Sequence, residues 1–433
     1  MVAKSIIAND RQARDTASAI EQISAALSSD QALKSIVEGL PKEVIASVRR
    51  SLLTEREELA ALLAAYNEAK LGRPEQLRER IGNDPGGLLV VARVARGWSQ
   101  KELARRLFIP EQQVQRYEAE RYRSISLGNL IRVARTLGVK LTADLPAQSH
   151  EQWLPSYEMT QAEAQKVLKH ARAEGWLDKA DQSDESGLSQ LKRTVAEHVA
   201  DHGTPSLLRT GLNVEDHSGD WLLLSWKAQV TRRAQAQIQR TKPKYKALDV
   251  SWVMELARLS AHDDGPKLAE KLLADHGIVL IIERQIAGMS VDGAAFLVDE
   301  TPVIGMTLRH DRIDNFWFTL MHELGHVILH YRTGLSAGFF DSTEDFAVDE
   351  FERQADEFAS NILIPEELWV RSPARIAKSP EPLERLAAQL GIAPAIVFGR
   401  VRMERKNYTI FANKLGAGKV RKSFDARQLE NTQ

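Results

Sequence analysis

The sequence predicts a mainly α, multidomain chain with one small sheet in its C-terminal half. Three observations predict it. At 433 residues the chain holds about three domains of roughly 150 residues each. Apolar residues recur at helical spacing over most of its length, as in Ile20, Ile23 and Leu27. One continuous apolar run, Ile278-Val279-Leu280-Ile281-Ile282, reads as a strand, and two shorter strand-like segments follow it.

Taken in order, residues 1–72 are rich in Ala, Glu, Leu and Arg, and predict an N-terminal helical region. That region reads either as a small bundle or as an arm for oligomerisation or for sequestering a partner. Gly72-Arg73-Pro74 and Asp84-Pro85-Gly86-Gly87 punctuate the passage to a second unit at 78–148. A helical middle region spans 149–246, with breaks at Pro155, at the polar run 181–187 and at Gly203-Thr204-Pro205. Its basic run, Lys227 to Lys246, contains no acid and reads as a solvated helix face with a linker, or as a nucleic-acid contact. The fourth unit, 247–370, starts with helices at 248–259 and 266–276. Strands at 278–282, 294–298 and 303–308 follow, with a turn at Asp299-Glu300-Thr301-Pro302, and then strong helices. A basic helical region, 371–433, closes the chain; it reads as packed under the fourth unit or as a contact for DNA or substrate, and as frayed at its end.

Composition excludes several classes. There is no cysteine, so no disulfide framework, thiolate nucleophile or Cys-ligated metal can exist. Any metal must be held by His, Asp and Glu. No run approaches the ~18 apolar residues of a membrane helix, and the N-terminus turns polar before a signal core develops. A soluble, cytoplasmic protein with no membrane partner is expected. The formal net charge is −1, from 58 basic and 59 acidic residues.

Residues 88–140 have the anatomy of a helix-turn-helix. Ser99-Gln100-Lys101-Glu102 has capping-box form. Leu103, Ala104 and Leu107 face inward, Phe108-Ile109-Pro110 makes the turn, and Pro110 suits a first helical position. The next helix buries Val114 and Tyr117. It presents Gln112, Gln113, Gln115 and Arg116, whose side chains can bond base edges or phosphate, with Gln100 beside them. Between 93 and 140 there are eleven basic and four acidic residues, a net of +7, which suits a polyanion. These motifs resemble the Cro/repressor-type (XRE) regulators, and within them the HigA-like antitoxins. The sequence departs from that pattern at Phe108, where a glycine commonly sits, and at Glu120. With one copy per chain, the resemblance implies a homodimer on a roughly palindromic double-stranded operator.

His322-Glu323-Leu324-Gly325-His326 puts two imidazoles four apart on one helix face, with a carboxylate one step round. A third ligand is needed. His330 lies eight residues beyond His322, about 12 Å along a helix, too far to share an ion, and reads as a group behind the ligands. Glu352 and Asp356, four apart, offer a third ligand and a partner for a ligand imidazole's other N–H; Glu350 is the runner-up ligand. Tyr331 and His330 are candidates for stabilising an oxyanion, and the strand at 294–298 could pair with an extended peptide or pack in the core. The set, with Gly293-Ala294-Ala295-Phe296, Pro302-Val303-Ile304, residues 318–330, residues 352–359 and Leu363-Ile364-Pro365, resembles the ImmA/IrrE family of zinc metallopeptidases over roughly 120 residues. The resemblance implies an α+β, gluzincin-like domain with Zn2+ on His322, His326 and Glu352 and with Glu323 as catalytic base. The expected protein is a DNA-binding transcriptional regulator whose zinc peptidase cleaves a regulatory protein, a repressor or toxin-system partner, in a stress, mobile-element or toxin–antitoxin system. The alternative is a non-catalytic antitoxin or repressor that binds its own promoter and sequesters a partner protein.

Overall fold

The structure is a computed structural model that describes residues 6–82, 84–122, 125–140, 159–177, 183–202, 220–335 and 345–425. The expected breaks at Pro155 and Gly203-Thr204-Pro205, together with Arg123, Asp341, Glu344 and the last eight residues, lie outside the described residues. The fold is mainly helical with one three-stranded sheet. No described helix is long and apolar enough to cross a membrane.

Helices α1 (Asp10–Ala26), α2 (Asp30–Ile36) and α3 (Lys42–Lys70) open the described chain. Asn9 and Ser29 cap the first two by accepting from Gln12 N and Ala32 N. α3 has 29 residues and is therefore about 43 Å long. Its N-terminal half buries Val44, Val48 and Leu52, four apart, in a core shared with the sheet region. Its C-terminal half buries Ala65, Tyr66 and Ala69 in a separate core with the following helices. The N-terminal helices are thus built into two cores.

Helices α4 (Glu75–Ile81), α5 (Pro85–Ala95), α6 (Gln100–Leu107), α7 (Glu111–Ala119) and α8 (Leu127–Thr136) complete that second core. Ser99 caps α6 by accepting from Glu102 N. The capping box is half made, because the Glu102 carboxylate turns to Arg105 and Arg106. Pro110 sits at the N-cap of α7, one position before the expected first turn. A complete box forms where none was expected, between Thr160 and Glu163 at the start of α9 (Gln161–Ala173).

α9, α10 (Asp184–His202) and α11 (Asp220–Thr241) lie on one face of the sheet. The basic run on α11 is not a uniformly solvated face. Lys227 is buried, with its ammonium 5.2 Å from the Phe296 ring centre. Arg233 bonds Glu283 at 2.8 Å and Arg232 donates to Trp176 O, while Arg240, Lys242, Lys244 and Lys246 face solvent. Next come α12 (Val253–Arg258), shorter than expected, and α13 (Gly265–Asp275). Strands β1 (Val279–Ile282), β2 (Gly293–Val298) and β3 (Thr301–Met306) have the order β1-β3-β2. β1 runs parallel to β3, pairing Val279 with Val303, and β2 runs antiparallel to it, pairing Gly293 with Met306. Ala294 and Val298 face the core of α11; Ala295, Leu280 and Ile304 face the other side.

That other side holds α14 (Ile313–His330), α15 (Asp345–Leu363), α16 (Glu366–Arg371), α17 (Glu381–Leu390), α18 (Pro394–Glu404) and α19 (Val420–Asp425). Several C-terminal cations are engaged within the fold. Arg405 donates to Arg375 O and Ala377 O, Arg421 to Leu308 O, and Arg402 to Tyr408 O.

Candidate metal centre

α14 is apolar on nearly every side, so it is a core helix, and its two histidines are carried inside with it. They stand one turn apart, with His322 Nε2 and His326 Nε2 3.1 Å from each other. Gly325 lies between them on the side facing α15. A Cβ there would stand 3.2 Å from the Ala355 Cα and from the Phe358 ring. Its absence lets the two helices close until Glu352 and Asp356 reach the imidazoles. Glu352 Oε2 is 3.2 Å from His322 Nε2, Oε1 is 3.4 Å from His326 Nε2, and Asp356 Oδ1 is 2.9 Å from His322 Nδ1.

The donor set fits a tetrahedral cation. Atoms about 2.0–2.1 Å from such an ion stand about 3.4 Å apart, and the three separations are 3.1, 3.2 and 3.4 Å. Among the described residues, His322, His326 and Glu352 are the group whose ligand atoms could hold a metal. The Nδ1–H of His322 donates to Asp356, which leaves Nε2 directed at the cluster. Burial alone would lower the His322 pKa. Hydrogen bonds to Asp356 and Glu352, and the charge of Glu323, outweigh it and push it up to about 9. Burial likewise raises the Glu352 carboxyl, but its bonds to the two histidines hold it well below the usual carboxylate range. The cluster therefore favours a positive charge at its centre, the demand a divalent cation meets.

Glu323 follows His322 and is 1% exposed. β2 begins against it: a Cβ on Gly293 would stand 2.8 Å from Glu323 Oε1 and 2.9 Å from Thr319 Cγ2. Sequence reasoning missed this role for Gly293, since nothing local links a strand's first residue to a carboxylate thirty positions on. It also missed Thr319, one turn before Glu323, whose buried Oγ1 has no hydrogen-bond partner. His330 packs edge-on against Phe351, ring centres 4.4 Å apart, and burial pushes its pKa down to about 3. Glu350 is turned to Arg353 and Gln354, whose hydrogen bonds hold its carboxyl down at about 2. Tyr331 Oη donates to Glu300 O at 2.7 Å.

The helix-turn-helix residues lie apart from this cluster. Gln112 and Arg116 project from the exposed face of α7. Gln115 bonds Glu111 at 3.2 Å, and Gln113 donates to the Tyr117 hydroxyl at 2.6 Å. Gln100 turns inward to Glu118 at 2.9 Å. Glu118 in turn receives a two-pronged bond from Arg93, both prongs 2.6 Å. Arg93 also donates to Trp98 O and Ala8 O, so it ties the start of α1 to the motif. At 2% exposure Arg93 belongs to the core and not to the phosphate-facing surface that the charge balance suggested. Its place in the apolar run Leu88-Leu89-Val90-Val91-Ala92-Arg93-Val94 was the available signal. A cleft of about 470 Å³ separates Asn9, Tyr66 and Lys70 from Trp98, Gln100 and Gln115.

Two family models match the chain. The M78 peptidase model, described as an IrrE N-terminal-like domain, matches residues 273–397, which contain β1–β3, α14 and α15. A helix-turn-helix model of the XRE type matches residues 91–143. No curated protein and no solved structure matches the chain.

Proposed function

From a chain that joins a helix-turn-helix DNA-binding domain to an M78 metallopeptidase-like domain, we propose a transcriptional regulator that binds an operator and cleaves a specific regulatory protein with zinc. One observation carries the catalytic half: Glu323 is a buried carboxylate adjoining the two histidines, in space that Gly293 leaves open. Burying a carboxylate is costly, and a protein that only bound partners would have no use for it there.

His322, His326 and Glu352 would hold the zinc, with Asp356 fixing the His322 imidazole and His330 packing behind the ligands. Zinc bound there supplies Lewis acidity toward a peptide carbonyl and makes a water acidic near neutral pH. Glu323 takes the proton of the attacking water and returns it to the departing amine. The dry wall of α14 and β2 strengthens these charges' action by excluding solvent. Glu352 and Asp356 are partly exposed, 26% and 53% at the side chain, so substrate enters from the α15 side.

In the reading domain, Gln112, Gln113, Gln115 and Arg116 face the groove, and Gln100 sets the register of α6. A homodimer on a roughly palindromic site follows from one motif per chain, and work on an operator would place it with the DNA in the cytoplasm. The target is a repressor or toxin of a stress, mobile-element or toxin–antitoxin system. Cleavage of co-encoded repressor proteins by the zinc-loaded full chain tests the proposal. Glu323→Gln should keep zinc and lose cleavage by at least about a hundredfold; equal cleavage by both proteins sinks the peptidase role. Operator binding should weaken steeply with salt and with Arg116→Ala.

A further inference from the structure

Phe108 ends α6 in the left-handed conformation, with φ 53° and ψ 43°. That geometry strains a bulky residue and is free to glycine. The same side chain is 95% exposed, more than any other large apolar side chain among the described residues. It thus carries two costs and buries nothing within the fold. The turn does not need the ring. Backbone bonds from Phe108 N to Arg105 O and from Ile109 N to Ala104 O close it, and Arg132 of α8 donates to Leu107 O.

The ring projects three residues ahead of Glu111, where α7 begins. Arg105 and Arg106, 74% and 42% exposed at the side chain, end α6 and share the Glu102 carboxylate, and Arg132 reaches the turn from α8. α8 adds Leu127 and Ile131, one turn apart and 71% and 37% exposed. An apolar tip that follows exposed cations in the chain matches a groove with methyl groups inside and phosphates along its edges. A second copy of the same cationic face would be repelled. The surface also runs directly into α7, the helix assigned to the major groove.

We propose that Phe108 is a duplex-DNA contact that reads a thymine by packing on its C5 methyl group. This rests on the helix-turn-helix reading above and adds a specificity-determining residue to it. The strained backbone is then kept for recognition.

The test uses the full chain and the duplex that the wild type selects from a random-sequence pool, with uracil replacing each thymine one at a time. Loss of one buried methyl is worth about fourfold in affinity. At one position per half-site the wild type should lose about fourfold, and Phe108→Gly should lose nothing further there. Phe108→Leu should keep part of the preference. Phe108→Gly should melt at the same temperature or about 1–3 °C higher, since glycine relieves the φ strain. An unchanged uracil profile in Phe108→Gly overturns the proposal, as does a lowered melting temperature, which would assign the ring to packing. A change from dimer to monomer in Phe108→Gly with an unchanged uracil profile would overturn it in favour of a self-interface. If the wild type selects no duplex at all, the helix-turn-helix reading fails first and Phe108 with it.

Discussion

Under the proposed function, the placing of Glu323 hangs on a missing atom. Its carboxylate occupies space that any side chain at 293 would take. Gly293→Ala should therefore push the carboxylate aside, cutting cleavage by about tenfold or more while zinc content stays at the wild-type level. Unchanged kcat would show that the contact is idle. Lys227 gives a second residue-scale test. Burial pushes its pKa from the ordinary 10.5 down to about 8. Between those two pH values the unfolded chain binds the extra proton, so stability rises with pH across the window and the cost is constant below it. Lys227→Met should gain up to about 3 kcal/mol at pH 7 and under about 1 kcal/mol at pH 10, by urea denaturation. Equal gains at both pH values would show that titration is not the cause. At this scale the sequence was readable where spacing is local. His322 with His326, and Glu352 with Asp356, share faces because residues four apart must. The inward turn of Arg93 was signalled by its apolar run, but those of Lys227 and Gln100 were not readable, because the Phe296 ring and the Glu118 carboxylate that meet them are brought by other elements.

α3 is the element whose meaning changed most between sequence and structure. Its apolar pattern predicts an amphipathic helix but not what the helix packs on. One half enters the core under the sheet, and the other enters the core of the helix-turn-helix. At its middle, Ser51 donates to Leu329 O, and Glu55 meets Arg332 at 2.7 Å, both at the end of the histidine-bearing α14. Burial raises the Glu55 carboxyl and Arg332 opposes the rise. Leu52→Ala should cost about 2–4 kcal/mol in the unfolding of the α14–α15 region, read as earlier zinc release in a urea titration. No shift would mean that α3 is a detached arm. Strand segments and helices were legible from apolar periodicity. The order β1-β3-β2 was not, since a parallel pairing across an intervening strand leaves no local mark.

For the whole molecule, the net charge of −1 is a cancellation. Residues 93–140 carry +7, and residues 340–370 carry ten acids against one arginine. Moving Arg93 and Glu118 into the core leaves that first balance intact, because the two cancel. A polyanion-binding region and an acid-rich metal segment thus share a neutral chain, and α3 contributes to the core of each. The absence of cysteine had the greater reach, since it left any metal to His, Asp and Glu. Crystals of the full chain grown with zinc, measured at the zinc absorption edge, test this account most directly. One anomalous peak should appear within about 2.0–2.2 Å of His322 Nε2, His326 Nε2 and a Glu352 oxygen, with no fourth side chain on it. An absent peak, or a fourth protein ligand closing the site, would contradict the account.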